Sequence, residues 1–387
     1  MRGHIEKRHN SSWTIVIEAG RDPATGKRRR IVRGFKGNKR DAEKEMVRLM
    51  HELETGMYVE PSKLTVAQWF RQWFEMQKDR LSPESRERYR GIIESRIIPK
   101  LGQIPLEKLQ PMHLQRFYAE TENERLDGRG GKISPASVRY CHTIVHKALE
   151  SAVKLKVIRQ NVANDVELPK IRREPVKVLT NEQVAAMLED AKKYPHYVPI
   201  LLAVTTGMRR GEIYALRWQD VNLDSGIIIV KRTISYTPQD GIFFKEPKTP
   251  KSRRTIAIPP VVIEALKSHK VEQAKRRLAC GELWVDMDLI FDRGDGRPCH
   301  PDSITSWFTE FLRKHGIDAV SFHKLRHTHA SLLLEQNVNI KVVQERLGHA
   351  SIRTTLDIYG HLMPGMQEEA AVKIGEAIKG KSGRGKG

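Results

Sequence analysis

The hydrophobic pattern of this chain stops twice, and a chain interrupted in that way does not close over a single core. Residues 57–63, with Pro61, and residues 161–177, with Pro169 and Pro175 among many charges, lack the apolar periodicity found on either side of them. Each lapse reads as a linker, because a polar run broken by proline neither continues a helix nor pairs in a sheet. Three segments must then fold by themselves, and a length of 387 residues gives them enough chain for real cores. With 39% apolar and 30% charged residues, global disorder and a fibrous chain are both excluded.

The segments differ in period. In residues 1–55, Trp13-Thr-Ile-Val-Ile-Glu18 reads as a strand, Asp22-Pro-Ala-Thr-Gly26 as a turn and Lys27-Arg-Arg-Arg-Ile-Val-Arg33 as a second strand. A helix follows, capped by Asn38 or Asp41, with Ala42, Met46, Leu49 and Leu53 at helical spacing. Residues 64–160 carry about four helices, opened by Thr65, Ser82-Pro83, Gln110-Pro111 and Ser134-Pro135, since proline suits the first helical position. Trp69, Trp73 and Phe117 recur at helical spacing and read as core rather than as base-stacking platforms. Farther on, Thr180-Asn-Glu-Gln183 forms a capping box and an apolar helix ends at Thr206-Gly207. Strand signals at Ile227–Ile234, Gly241–Phe244 and Arg254–Ile258 read as an antiparallel meander, and helices follow them. The expected class is multidomain α+β, ending in a basic flexible tail at 379–387.

Lys and Arg number 68 against 47 Asp and Glu, a formal net charge of +21 that calls for an anionic partner. Lipid, acidic protein and nucleic acid would all serve; the distribution favours nucleic acid. Lys27, Arg28, Arg29, Arg30 and Arg33 crowd one strand, either a ribbon for a DNA groove or the solvated face of a hairpin. The longest apolar run, near Val198–Thr205, is far below the ~18–20 residues that span a bilayer. The start has no apolar signal region either, so neither secretion nor a membrane partner is expected. Cys141, Cys280 and Cys299 lie far apart and read as free thiols in a reducing cytoplasm.

Chemistry-bearing residues gather in the last segment. In Thr206-Gly-Met-Arg-Arg-Gly-Glu212, Arg209 and Glu212 are three apart on one helix face, where the acid can orient the guanidinium or simply form a surface salt bridge. Lys248 sits in a cation-rich turn between Pro247 and Thr249. Within Phe322-His-Lys-Leu-Arg-His-Thr-His-Ala330, His323 and Arg326 share a helix face, while His327 and His329 are expected to point elsewhere. Leu347-Gly-His-Ala-Ser-Ile352 follows, and Tyr359 stands ten residues past His349. The segment has no HExxH motif, no carboxylate set and no cysteine at ligand spacing, so no metal is expected.

The ordered set Arg209, Glu212, Lys248, His323, Arg326, His349 and Tyr359 resembles the signature of the tyrosine recombinases, the lambda-type phage integrase family, most strongly over residues 177–365. The resemblance implies an arm-type DNA-binding domain at 1–57, a small three-stranded sheet plus helix whose faint first strand falls around His4–Arg8. It implies an all-α, SAM-like core-type DNA-binding domain at 64–165 and a mostly α catalytic domain with a small antiparallel sheet at 177–378. By the same resemblance Arg209 and Arg326 clamp the scissile phosphate, with Glu212 in support. His323 is base or phosphate donor, His349 a second donor and Lys248 the acid for the departing 5′-oxygen. Tyr359 attacks to leave a 3′-phosphotyrosine, a link that conserves the phosphodiester's energy and asks for no cofactor.

The implied activity is a mobile-element integrase that integrates and excises its element through a Holliday junction. Implied partners are double-stranded DNA at attachment core and arm sites, a homotetramer on that DNA, and excisionase and DNA-bending proteins, all at the nucleoid of a bacterial cytoplasm. Residues Glu368–Ile378 are expected to dock on a neighbouring protomer. The alternatives are a non-catalytic DNA-binding regulator of the same fold, a chromosome-dimer recombinase, which usually lacks an arm domain, and a monomeric type IB topoisomerase.

Overall fold

A computed structural model describes residues 2–9, 11–21, 26–55, 58, 63–123, 132–171, 177–246, 253–318, 320–360, 371, 372, 374–376 and 378. Lys248, most of the Asp22–Gly26 turn and the 379–387 tail lie outside them. The chain divides into two compact units, Met1–Arg172 and Arg173–Gly387.

The first unit opens with β1 (Arg2–His9), β2 (Ser12–Arg21) and β3 (Arg28–Lys36), an antiparallel sheet in the order β1-β2-β3, followed by α1 (Lys39–Glu54). The faint first strand is thus a full one, paired from Arg2↔Glu18 to His9↔Ser12. Successive strand side chains point to opposite faces, so Ile15 and Ile17 turn toward α1 and pack with Leu49, and Ile31, paired with Ile17, is buried on the same face. The Asn38 side chain caps α1, accepting from the Asp41 N–H at 2.8 Å.

Next come α2 (Val66–Gln77), α3 (Pro83–Ile92), α4 (Ile98–Leu101), α5 (Pro111–Asn123) and α6 (Pro135–Lys154), which share one apolar core. Thr65 and Gln68 cap α2 reciprocally, and Ser82 and Ser134 cap α3 and α6. Between α3 and α4 the helix widens into a π turn at Ile93–Ile97, which eases the ring of Pro99 past the Ser95 carbonyl. Trp69, Trp73 and Phe117 are buried as expected of core residues, and the Trp69 indole donates to the Ala148 carbonyl at 2.9 Å. The run read as a linker from residue 161 begins later: Asn161 caps a short 3-10 turn, and Val162 and Ala163 pack on this core.

The second unit contains α7 (Asn181–Ala191), α8 (Tyr197–Thr206), α9 (Arg210–Ile213), β4 (Val221–Asn222), β5 (Ile227–Val230), β6 (Thr233–Thr237), β7 (Gly241–Lys245) and β8 (Arg254–Ala257). It continues with α10 (Pro260–Cys280), α11 (Ser303–Lys314), α12 (Lys324–Glu335), α13 (Ile340–Leu347) and α14 (Ile352–Tyr359). Apolar almost all round, α8 is the central post, with α7, α10 and α12 against it. The expected meander is corrected here to two separate sheets: β5 pairs with β4 and β8, and β6 with β7. The long first strand breaks at Lys231 and Arg232 because both cations turn to the buried Asp220 carboxylate. Among the described residues no helix is long and apolar enough to cross a membrane.

Candidate active site

Gly207 ends α8 with φ +64°, and the chain turns directly into α9. Arg209 is the cap residue before α9 rather than part of the helix, and it pairs with Glu212 differently from a surface i,i+3 bridge. Its backbone N–H donates to Glu212 Oε2 at 2.8 Å and its Nη1 to Oε1 at 2.9 Å. From β8, Arg254 donates Nη2 to Oε2 of the same carboxylate at 2.7 Å and Nη1 to Oε1 at 3.2 Å. Burial alone would raise the Glu212 pKa; the Arg254 hydrogen bond and the charges of Arg254 and Arg209 hold it below the ordinary value. Arg254 also donates Nε to the Arg346 carbonyl at 2.7 Å, which ties β8 to the end of α13.

Arg326, on the first turn of α12, is 3% exposed. Its fork donates to the Gly207 carbonyl at 2.7 Å and the Leu347 carbonyl at 2.5 Å. Burial, helped by the Arg209 charge, pushes it down to about 9, still protonated at neutral pH. Beside it, His323 stands at the residue before α12, and burial with the charges of Arg326 and Arg209 lowers its pKa. His349 follows Gly348, the left-handed residue that ends α13, and its Nδ1 lies 2.9 Å from the buried Thr355 hydroxyl. Burial and the same two arginines push His349 down to about 4. Tyr359 closes α14, only 2% exposed, and burial pushes its phenol up to about 12 against the pull of Arg326.

The expectation that His327 points elsewhere is corrected: its Nδ1 lies 2.6 Å from the Tyr359 hydroxyl. One helical turn separates His327 from His323, so the i,i+4 spacing already placed both on one face. His329 does point away, with Nδ1 2.8 Å from the Val204 carbonyl. Sequence reading also missed Arg254. Its signal was the strand period, which puts it on the same buried face as Ile256.

Arg209, Glu212, His323, Arg326, His349 and Tyr359 are therefore brought together, with Arg326 acting electrostatically on both histidines and on the phenol. Arg209, Arg254 and Arg326 surround the one carboxylate of Glu212, which leaves the site cationic among the described residues. Such a site suits an anion with developing charge.

The basic strand of the first unit is split by its register. Arg28 and Arg30 lie on the sheet face away from α1, whereas Arg33 falls on the helix side and pairs with Glu45 at 3.6 Å. By the same alternation Arg29 also falls on the helix side, and Lys27 precedes the strand, exposed.

Comparison with known proteins agrees with this fold. The phage integrase family matches residues 177–365, and the phage integrase N-terminal SAM-like domain matches residues 65–121. An integrase of Streptomyces ambofaciens is 27% identical over 384 residues, 96% of this chain and 94% of its own length. The fold is shared with the Tn1549 transposon integrase in complex with circular intermediate DNA, at TM-score 0.67 and 19% identity over 80% of this chain and all of that one. It is shared too with the lambda integrase tetramer bound to a Holliday junction, at TM-score 0.56 and 20% identity over 90% of this chain and 95% of that one. These matches give the chain the catalytic domain of the phage integrase family over residues 177–365 and the N-terminal SAM-like domain of phage integrases over residues 65–121.

Proposed function

We propose that this chain is a site-specific recombinase of a mobile element, cutting and rejoining double-stranded DNA through a 3′-phosphotyrosine on Tyr359. The observation that carries the reading is the excess of buried arginine charge around one sequestered phenol. At a phenol pKa of about 12, forming phenolate at pH 7 costs about 7 kcal/mol, five units at about 1.36 each. The phenol of the resting protein is thus protonated at neutral pH, and the scissile phosphate completes the site by supplying the missing anion.

Arg209 and Arg326 hold its non-bridging oxygens, with the Arg209 fork kept in place by Glu212. His323 and His349, both neutral at pH 7, hydrogen-bond the same phosphate. Lys248 protonates the departing 5′-oxygen. The 5′-hydroxyl of another strand reverses the step without a nucleotide or a cofactor.

Strand exchange between two duplexes occupies four protomers, as in the lambda integrase tetramer on its Holliday junction. We assign residues 1–57 to arm sites, 64–165 to core-site contacts and 177–378 to catalysis, at the nucleoid of a bacterial host with excisionase and DNA-bending proteins as partners. The exposed Val372, Ile374 and Ile378 of the carboxy-terminal stretch support docking on a neighbouring protomer. Truncation after Met366 then abolishes recombination, and a full rate without these residues removes that contact from the scheme.

The direct test uses a nicked duplex carrying the junction sequence of the element. Wild type is expected to form a covalent complex that survives denaturant, with an unchanged yield in chelator, whereas Tyr359→Phe forms none. A stable complex with Tyr359→Phe would place the nucleophile elsewhere.

A further inference from the structure

The reaction scheme above leaves one polar contact of its nucleophile unused. Among the described residues, the hydrogen-bond partner of the Tyr359 hydroxyl is His327 Nδ1 at 2.6 Å, with the two ring centroids 5.6 Å apart. The His323 ring meets that of His327 edge to face, also at 5.6 Å. Among the described residues, the groups facing His327 are Lys324, His323 and Arg326 from its own segment, Tyr359 from α14 and His349 from the turn before α14. None of these is a carboxylate. Burial and the neighbouring His323, Arg326 and Lys324 push the imidazole down to about 4, so at neutral pH it is an uncharged ring with one free lone pair.

We propose that His327 is a catalytic residue, the base that takes the Tyr359 proton as the phenol oxygen attacks phosphorus. The inference deepens the recombinase reading and rests on it. As the Tyr359 Oη–P bond forms, the hydroxyl proton passes to His327 Nδ1, and Nε2 keeps its own, giving an imidazolium. The P–O5′ bond breaks with its electron pair on O5′, which takes a proton from the Lys248 ammonium. His327 gains the charge that Lys248 loses, and resealing runs both transfers backward, so the cycle needs no external acid, base or oxidant. His323 is then left to the phosphate oxygens, because among the described residues the Tyr359 hydroxyl meets His327. The arriving phosphate offsets the positive field at His327, raising its basicity when the proton must move.

A base in contact with the nucleophile has a kinetic signature that a structural histidine lacks. With it, the cleavage rate is flat in pH wherever the imidazole is neutral and the lysine protonated. Without it, the phenol must ionise first, and the rate climbs tenfold per pH unit.

The experiment follows single-turnover formation of the covalent complex by full-length protein on the nicked junction duplex between pH 6 and 9. Wild type is expected to be flat. His327→Ala is expected to be about 100-fold slower at pH 7 and to rise with unit slope. His327→Asn keeps an amide oxygen near the Nδ1 position but cannot hold a proton, and it is expected to follow the alanine variant. Both should bind the duplex within twofold of wild type by gel shift.

If asparagine restores the rate and the flat profile, His327 only positions the phenol and the proposal is overturned. It is also overturned if alanine loses rate with no change of slope, or keeps the wild-type rate. A wild-type protein that forms no covalent complex at any pH sinks the recombinase reading itself, a result distinct from all of these.

Discussion

Arg326 occupies a place that a lysine cannot fill. Its planar fork spans two carbonyls from different segments, Gly207 before α9 and Leu347 at the end of α13, whereas an ammonium is a point charge on a flexible stem. Arg326→Lys is expected to leave one of those buried carbonyls unpaired, at a cost of about 1–3 kcal/mol in denaturant melts. Cleavage of the nicked duplex should fall by about 10²–10³, the usual loss when a fixed donor to developing charge is removed. His329 sets a second expectation. It is buried and pushed down to about 3, against about 6.5 in an unfolded chain. The unfolded chain takes up this proton first, so the stabilising preference for the neutral ring is complete above pH 6.5 and is lost as pH falls toward 3. In that window thermal or denaturant melts should lose about 1.4 kcal/mol per pH unit from this residue, and His329→Asn should remove one proton from the slope. At this scale the gathering of Arg209, Glu212, His323, Arg326, His349 and Tyr359 was legible in the sequence, because residue types and spacing carry it, while Lys248 lies outside the described residues. The hydrogen-bond partners were not: nothing linear says that Glu212 serves Arg254 as well as Arg209, or that Thr355 rather than Asp357 meets His349.

The elements of the second unit meet through their ends. Gly207 ends α8, Arg209 precedes α9, His323 precedes α12, Gly348 ends α13 and Tyr359 ends α14, so the site is made largely of helix termini and the start of β8. Gly207 is the tightest of these junctions. A Cβ there would stand 2.6 Å from His329 Cδ2 and 2.8 Å from Leu347 Cδ2, at a φ of +64° that alanine disfavours. Left-handed backbone alone costs a non-glycine residue roughly 1–2 kcal/mol. Gly207→Ala is therefore expected to destabilise by more than that, and by displacing the Gly207 carbonyl it should also slow covalent-complex formation. A variant that melts like wild type would show that α8 and α13 have room to part. Four helix starts were readable, since Thr65, Ser82, Ser134 and Thr180 all cap as their spacing predicts. Strand partners were not, because the break between β5 and β6 depends on Asp220, a residue outside both strands that draws Lys231 and Arg232 to itself.

For the whole molecule, the lapses in hydrophobic pattern showed where the cores end but not which of them combine. The sheet and the helical segment belong to one unit, and a contact that helps to join them, the Glu52 carboxylate accepting two guanidinium nitrogens of Arg159 at 2.8 Å each, spans 107 residues without any local signal. The net charge of +21 acts at this scale through counterions: each phosphate a cation neutralises lowers log K by about 0.9 per decade of salt. Which cations take part is decided by the strand register. Arg28 and Arg30 stand on the face of the first sheet that α1 leaves open, and the ion pair of Arg30 with Glu18 there, at 3.6 Å between two exposed side chains, is weak enough to yield to a phosphate. Arg33 is turned to the helix side and shares Glu45 with Arg48. In anisotropy titrations of a duplex from the element's flanks between 50 and 200 mM salt, Arg30→Ala is expected to lower the slope of log K against log salt by about 0.9. Arg33→Ala should change the slope by much less, because its charge is already matched inside the protein. Equal losses from the two variants would mean that the sheet meets DNA along its edge rather than by its open face.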